Sequence, residues 1–245
     1  MENSFMKALV MLYGAASYFS FFGVFLYLIA FNAEVLVPKT LSSAAGANVA
    51  IALLINLALL LLWGVQHTVM ARGWFKEAIA SLIPHHTERS TYVLASSVVL
   101  AFLMYAWQPI EGVVWQVDNL ILTYVLWLVF GLGWTLVLIS TFLTDHFDLF
   151  GLRHTWLHFI GKTYSSVGFT ERLFYRWIRH PMMLGLLMAF WAVPSMSIGH
   201  LVFSVGMTAY TLIGIHFEEK GLAETLGEDY VAYQKRTSRV VPKIY

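Results

Sequence analysis

Long apolar runs alternate with polar stretches along the chain, and their lengths predict the first elements. Residues 8–31, 48–70 and 120–143 are predominantly apolar, and 91–107 form a shorter run. A helix of roughly 18–20 apolar residues crosses a hydrocarbon core, so these are read as four membrane spans. The intervals differ. Residues 32–47 are a short loop with Pro38; 71–90 carry Arg72, Lys76, Glu77, His85, His86, Glu88 and Arg89; 108–119 hold Glu111 and Asp118 but no Lys or Arg; 144–179 is the longest polar connection. Residues 182–193 then predict an apolar helix of about 18 Å at 1.5 Å per residue, and 200–217 lead back. Between them Pro194-Ser195-Met196-Ser197-Ile198-Gly199 reads as a turn, since proline breaks a helix and serine and glycine favour turns. A polar run begins abruptly at Glu218. The period-two alternation of a membrane barrel is absent. The expected fold is all-α: a polytopic transmembrane helical bundle of four spans plus a C-terminal helical hairpin, ending in a polar segment.

Charge placement orients this layout. With the two halves of the hairpin counted as separate passes, Lys39 is the one basic residue of 15 that falls opposite the N-terminus. The positive-inside rule then predicts that both termini are cytoplasmic. The end of the second span (Gln66 to Arg72), Asp145-His146, His180 and Glu218 are thereby expected at one membrane face. Composition agrees: 59% hydrophobic and 12% charged, about half the charged fraction of a soluble domain, with a mean hydropathy of +0.69. The absence of cysteine excludes disulfides and thiolate metal sites. A net charge of +1 gives no electrostatic reason for a nucleic-acid partner. The first apolar run is too long for a signal-peptide core and is read as a retained span. The whole chain is read as a single membrane-embedded domain, with residues 1–143 as the frame and 144–245 as connection, hairpin and C-terminal segment.

Ionisable groups beside hydrocarbon are costly, so a cluster of them at one face is a functional candidate. Four stand out: His67 with Arg72, Asp145 with His146, His180 behind Arg179, and Glu218 with Glu219. Each has a bland counterpart. His67 can be a helix-end histidine, Arg179 an interfacial anchor, and the Asp145-His146-Phe147-Asp148 run an ordinary helix exit. His154 and His158 lie four apart, but no carboxylate or cysteine partner is fixed by spacing, and no metal site is expected. Dinucleotide, phosphate-loop, nucleophile-elbow and His-Glu-x-x-His patterns are missing. Any cofactor must therefore be held by helices and the C-terminal segment.

Arg179-His180-Pro181-Met182-Met183-Leu184-Gly185, a helical hairpin, Glu218-Glu219-x-x-Leu222, Gly227-x-x-Tyr230-x-x-Tyr233 and Pro242 together resemble the C-terminal signature of the isoprenylcysteine carboxyl methyltransferase and phospholipid methyltransferase superfamily. Met183 stands where that family commonly has an aromatic residue. The remainder resembles a narrower family, the bacterial membrane-bound methanethiol S-methyltransferases. That likeness runs from Trp63-Gly64-Val65-Gln66-His67-Thr68 through Glu88-Arg89-Ser90-Thr91-Tyr92, Gly112-Val113-Val114-Trp115 and His146-Phe147-Asp148-Leu149-Phe150-Gly151-Leu152 to Ile198-Gly199-His200. Related denitrification-associated membrane proteins share parts of it.

The resemblance implies methyl transfer from S-adenosylmethionine to a small volatile thiol, methanethiol, giving dimethyl sulfide in a bacterial inner membrane among membrane lipids. It implies cofactor contacts at Arg179, His180, Pro181, Gly185, Glu218, Glu219, Tyr230 and Tyr233, and a cofactor-binding role for the cytoplasmic C-terminal segment. Oligomeric state is left open. The reaction is an in-line displacement that needs alignment and a thiolate nucleophile. From spacing and shared membrane face, His67 or His146 is the candidate base, with Asp145 orienting the imidazole and Arg72 supplying positive potential. Trp63, Phe142 or Phe147 are candidate walls for the thiol. Two other readings stay open: a methyltransferase acting on a lipid amine or prenylated carboxylate, and a non-enzymatic membrane protein or transporter.

Overall fold

In this computed structural model the described residues are 3–43, 46–166 and 171–242. The chain is all-α and polytopic, and among the described residues five helices are long and apolar enough to cross a membrane. These are α1 (Ser4–Ala33), α2 (Val49–Met70), α4 (His85–Ala106), α5 (Leu120–Leu143) and α9 (Ile198–Leu226). The shorter apolar helix α8 (Pro181–Trp191) precedes α9, so the four expected spans and the C-terminal pair are all present. Lipid-facing side chains such as Leu12, Phe19, Leu54, Leu61, Ile121 and Leu128 are exposed along the spans, as a helix in hydrocarbon permits.

The chain divides into two compact units. The first comprises Met1–Thr40, Ala50–Gln108 and Thr144–Gly168. Here α1 packs on α4 and on the short helix α7 (Leu152–Phe159), which also meets α4. Gly14 makes the α1–α7 approach possible: a Cβ there would stand 2.1 Å from Thr155 Oγ1. At that same end of the unit Tyr13 donates to Thr91 Oγ1 at 2.9 Å and Ser90 to Gly151 O at 3.2 Å. Helix α4 starts two turns earlier than the apolar pattern predicts. Pro84 occupies its N-cap position and Thr87 bonds back to Pro84 O at 2.9 Å. Polar residues at a span's end thus extend the helix beyond the hydrocarbon. The polar connection before it contains α3 (Gly73–Ile79).

The second unit comprises Leu41–Val49, Pro109–Leu143 and Phe169–Tyr245. Helix α8 lies against α5, and their backbones touch where Gly185 meets Gly133: a Cβ on Gly185 would fall 2.5 Å from Gly133 O. Residues 108–119, the interval between two spans, include strand β1 (Val113–Gln116), which pairs antiparallel with β2 (Ser195–Ser197) in the predicted turn. Trp115 Nε1 donates to Val193 O at 3.0 Å. Together these pin the bend between α8 and α9. Its core gathers Phe190, Phe203, Met196 and Ile215, all buried. Helix α9 does not stop at Phe217. It continues to Leu226 because Glu218 to Leu226 are mostly good helix formers, and it ends at Gly227, φ 62°. The helix α10 (Glu228–Arg236) follows, with Glu228 and Asp229 in its first turn and Lys235 and Arg236 in its last, the order that suits the helix dipole.

Candidate active site

In the second unit, Arg179-His180-Pro181 forms the entry to α8. Pro181 is the first helical residue, where its fixed φ and missing N–H are harmless. The chain before it is tied to the C-terminal segment: Ile178 and Ser238 form a parallel bridge, Arg179 N donates to Ser238 O at 2.8 Å, and His180 N to Arg239 O at 3.1 Å. This docking brings three cationic or protonatable side chains onto one carboxylate. Arg179 Nε lies 2.6 Å and His180 Nε2 3.1 Å from Glu219 Oε1, and Arg239 Nε lies 3.2 Å from Oε2. Arg179 also donates to the carbonyls of Gln234, at 2.8 Å, and Thr237. Charge-assisted bonds of this kind are short and strong, and Glu219 is thereby fixed.

Glu218 is placed differently. Its side chain is 49% exposed against 11% for Glu219, and Oε2 stands 3.6 Å from His180 Nδ1. The imidazole thus bridges a locked carboxylate and an open one. Tyr230 and Tyr233 are buried, with ring centroids 5.8 Å apart. The Tyr233 hydroxyl donates to Tyr175 O at 2.5 Å. Burial, reinforced by the Glu171 charge, pushes its pKa up to about 12; burial and the Glu219 charge raise that of Tyr230 as well. Both phenols stay protonated. Gly185 spends its bare Cα on the approach to α5.

In the first unit, His146 opens the short helix α6 (His146–Leu149) and is 5% exposed. Its Nε2 lies 2.8 Å from the Tyr18 hydroxyl. Phe147 and Phe150 stand around the ring at centroid distances of 5.3 and 4.9 Å, and Phe150 stacks on Phe21 at 3.8 Å. Burial lowers the His146 pKa, partly opposed by the negative charge of Asp145. Asp145 caps α6, accepting from Asp148 N at 3.1 Å, and lies 3.8 Å from Arg153. Its influence on the imidazole is that of a nearby charge. His67 meets a different tyrosine: the Tyr92 hydroxyl is 2.9 Å from Nε2, with Trp63 5.1 Å away between ring centroids. Arg89 covers the Tyr92 ring at 5.2 Å and donates to Leu149 O at 2.7 Å. It thereby links the His67 end of the unit to α6. Arg72 precedes α3. Phe142, on α5, is exposed. Elsewhere His86 stacks on His158 at 3.6 Å; among the described residues no three metal-ligating side chains converge.

No protein-family model matches the chain, and no solved structure matches it. Curated proteins do. A methanethiol S-methyltransferase of Mycobacterium tuberculosis is 45% identical over 236 residues, 96% of this chain and 97% of its own length. One from Pseudomonas deceptionensis is 46% identical over 208 residues, 85% of this chain and 79% of its own. One from Crocosphaera subtropica is 41% identical over 245 residues, 100% and 96%. The chain belongs to the methanethiol S-methyltransferase family.

As a member of that family the protein is a methyltransferase, and three site neighbours were not singled out from the sequence. Tyr18 and Tyr92 are the hydroxyl partners of the two candidate histidines, and Arg239 is the third cationic group on Glu219. A buried tyrosine hydroxyl usually finds a partner, which is the signal Tyr18 offered among the aromatics of the first span. Arg239 carried none, because its pairing depends on how residues 237–240 fold back beside 178–180.

Proposed function

We propose that the protein transfers the methyl group of S-adenosylmethionine to methanethiol, releasing dimethyl sulfide, as a single methyltransferase domain at the cytoplasmic face of a bacterial inner membrane with both termini cytoplasmic. The observation that carries this reading is kinship over nearly the whole chain with proteins that bear that name. The ion cluster on α8 and α9 supports a donor site. Glu218, open beside His180, takes the ribose hydroxyls or amino group of the donor. Glu219 anchors Arg179, His180 and Arg239, keeping positive charge where the methionine carboxylate binds. Pro181 and Gly185 set the position of α8, and Tyr230 and Tyr233 form a rigid wall.

The donor's sulfonium supplies the leaving group, so the remaining barrier is the acceptor's proton. Even a cysteine thiol, with a pKa of about 8.5, is largely protonated at neutral pH. His146 is the general base. Burial keeps it neutral and able to accept a proton, Asp145 steadies the cation that results, and the surrounding phenylalanines suit an apolar acceptor. The basic residues Arg72 and Arg89 keep the surrounding potential favourable to a thiolate, and Tyr92 holds His67 in place. Purified protein with labelled S-adenosylmethionine and a panel of methanethiol, a lipid amine and a prenylated carboxylate tests this. Dimethyl sulfide in the headspace is the expected product. Label on the amine or carboxylate, with no dimethyl sulfide, would overturn the acceptor, and no donor binding would overturn S-adenosylmethionine as the methyl source.

A further inference from the structure

Tyr18 lies on α1, far in sequence from every motif, yet its hydroxyl is the group 2.8 Å from His146 Nε2. The two partners differ in access. The imidazole is 5% exposed, whereas Tyr18 is half-buried, flanked by Phe147 at 5.9 Å and Phe21 at 6.3 Å between ring centroids. The phenol is thus the more accessible end of the pair. A phenolic hydroxyl is both donor and acceptor, so it can receive one proton while passing on another.

We propose that Tyr18 is a catalytic residue, relaying the acceptor's proton to His146; this rests on the thiol-methylation reading above. The Tyr18 O–H donates to Nε2, and an oxygen lone pair accepts the S–H of the thiol. As the S–H bond breaks, that proton joins the Tyr18 oxygen and the phenol's own proton moves to Nε2, leaving a thiolate and an imidazolium. The thiolate lone pair forms the new S–CH3 bond while the donor's methyl–sulfonium bond breaks and its electron pair stays on the departing sulfur. The imidazolium afterwards returns its proton through Tyr18 to water. No oxidant, reductant or metal enters the balance. The assignment explains why the base sits behind a hydroxyl: the phenol fixes the imidazole's orientation and stands between it and the acceptor.

The test compares Tyr18→Phe and His146→Gln with the wild type on two acceptors, methanethiol and methaneselenol, alongside binding of labelled S-adenosylmethionine. Selenols ionise more readily than thiols and need less help from a base. Both variants should bind the donor as the wild type does, lose about 10²-fold or more in kcat/KM toward methanethiol, and keep most of the rate toward methaneselenol. Equal losses on both acceptors would mark Tyr18 as a packing residue and overturn the relay, as would an unimpaired Tyr18→Phe on the thiol. A wild type inert toward both acceptors would sink the parent reading and the relay with it, a result distinguishable because it needs no variant.

Discussion

Glu219 and His146 are both polar groups withdrawn from solvent in a membrane protein, and their surroundings are opposites. Glu219 is held by Arg179, His180 and Arg239; His146 has one hydroxyl at Nε2 and aromatic walls. The difference fits the roles proposed for the two groups. A carboxylate wired to several positive groups is a fixed point, good for organising a recess for a charged ligand. A group that must gain and lose a proton needs a setting in which either state is within reach, and burial beside a hydroxyl suits that. In the proposed function, the donor is held by charge and the acceptor meets apolar surface.

The largest expected effect breaks the charged side. Glu219→Ala leaves Arg179 and His180 buried without their counter-charge, which typically costs about 3–5 kcal/mol. Thermal unfolding in detergent should fall sharply, and donor binding with it. On the other side, His146→Ala should lower turnover of methanethiol by about 10²–10⁴-fold while leaving donor binding intact. The pH dependence sharpens the contrast. The folded pKa of His146 lies below the ordinary 6.5, so between the two values the unfolded chain takes up a proton that the folded chain refuses. The stability due to neutral His146 is complete above about 6.5 and declines as pH falls through that interval. Melting temperature against pH should show this slope in the wild type and a flatter one in His146→Gln.

Smaller effects test the frame. Gly185→Ala forces a Cβ to within 2.5 Å of Gly133 O, and overpacking of this kind costs about 1–3 kcal/mol, read as a lower melting temperature. Tyr233→Phe removes one hydrogen bond, to Tyr175 O, worth about 1 kcal/mol, and should lower the melting temperature slightly.

The spans were legible because lipid tolerates only long apolar helices, so α5 was read at its observed bounds. The ends were less so. The start of α4 lies behind His85 and His86, and the continuation of α9 behind Glu218 and Glu219, where polarity marks the edge of the membrane and says nothing about the end of a helix. The pairing of β1 with β2 depends on residues some 80 positions apart and leaves no local pattern. Arg179, His180 and Glu219 could be grouped because each sits at the polar end of an apolar run. Arg239 and Tyr18 could not: each meets its partner through tertiary folding that periodicity does not encode.

The central claim is that donor recognition belongs to the open carboxylate of the charged cluster and not to the histidine in the aromatic surround. Titration of labelled S-adenosylmethionine into wild type, Glu218→Gln and His146→Ala tests it most directly. The account predicts an affinity loss of about tenfold, near 1.4 kcal/mol, in Glu218→Gln and none in His146→Ala. Unchanged affinity in Glu218→Gln, or a loss confined to His146→Ala, would contradict it.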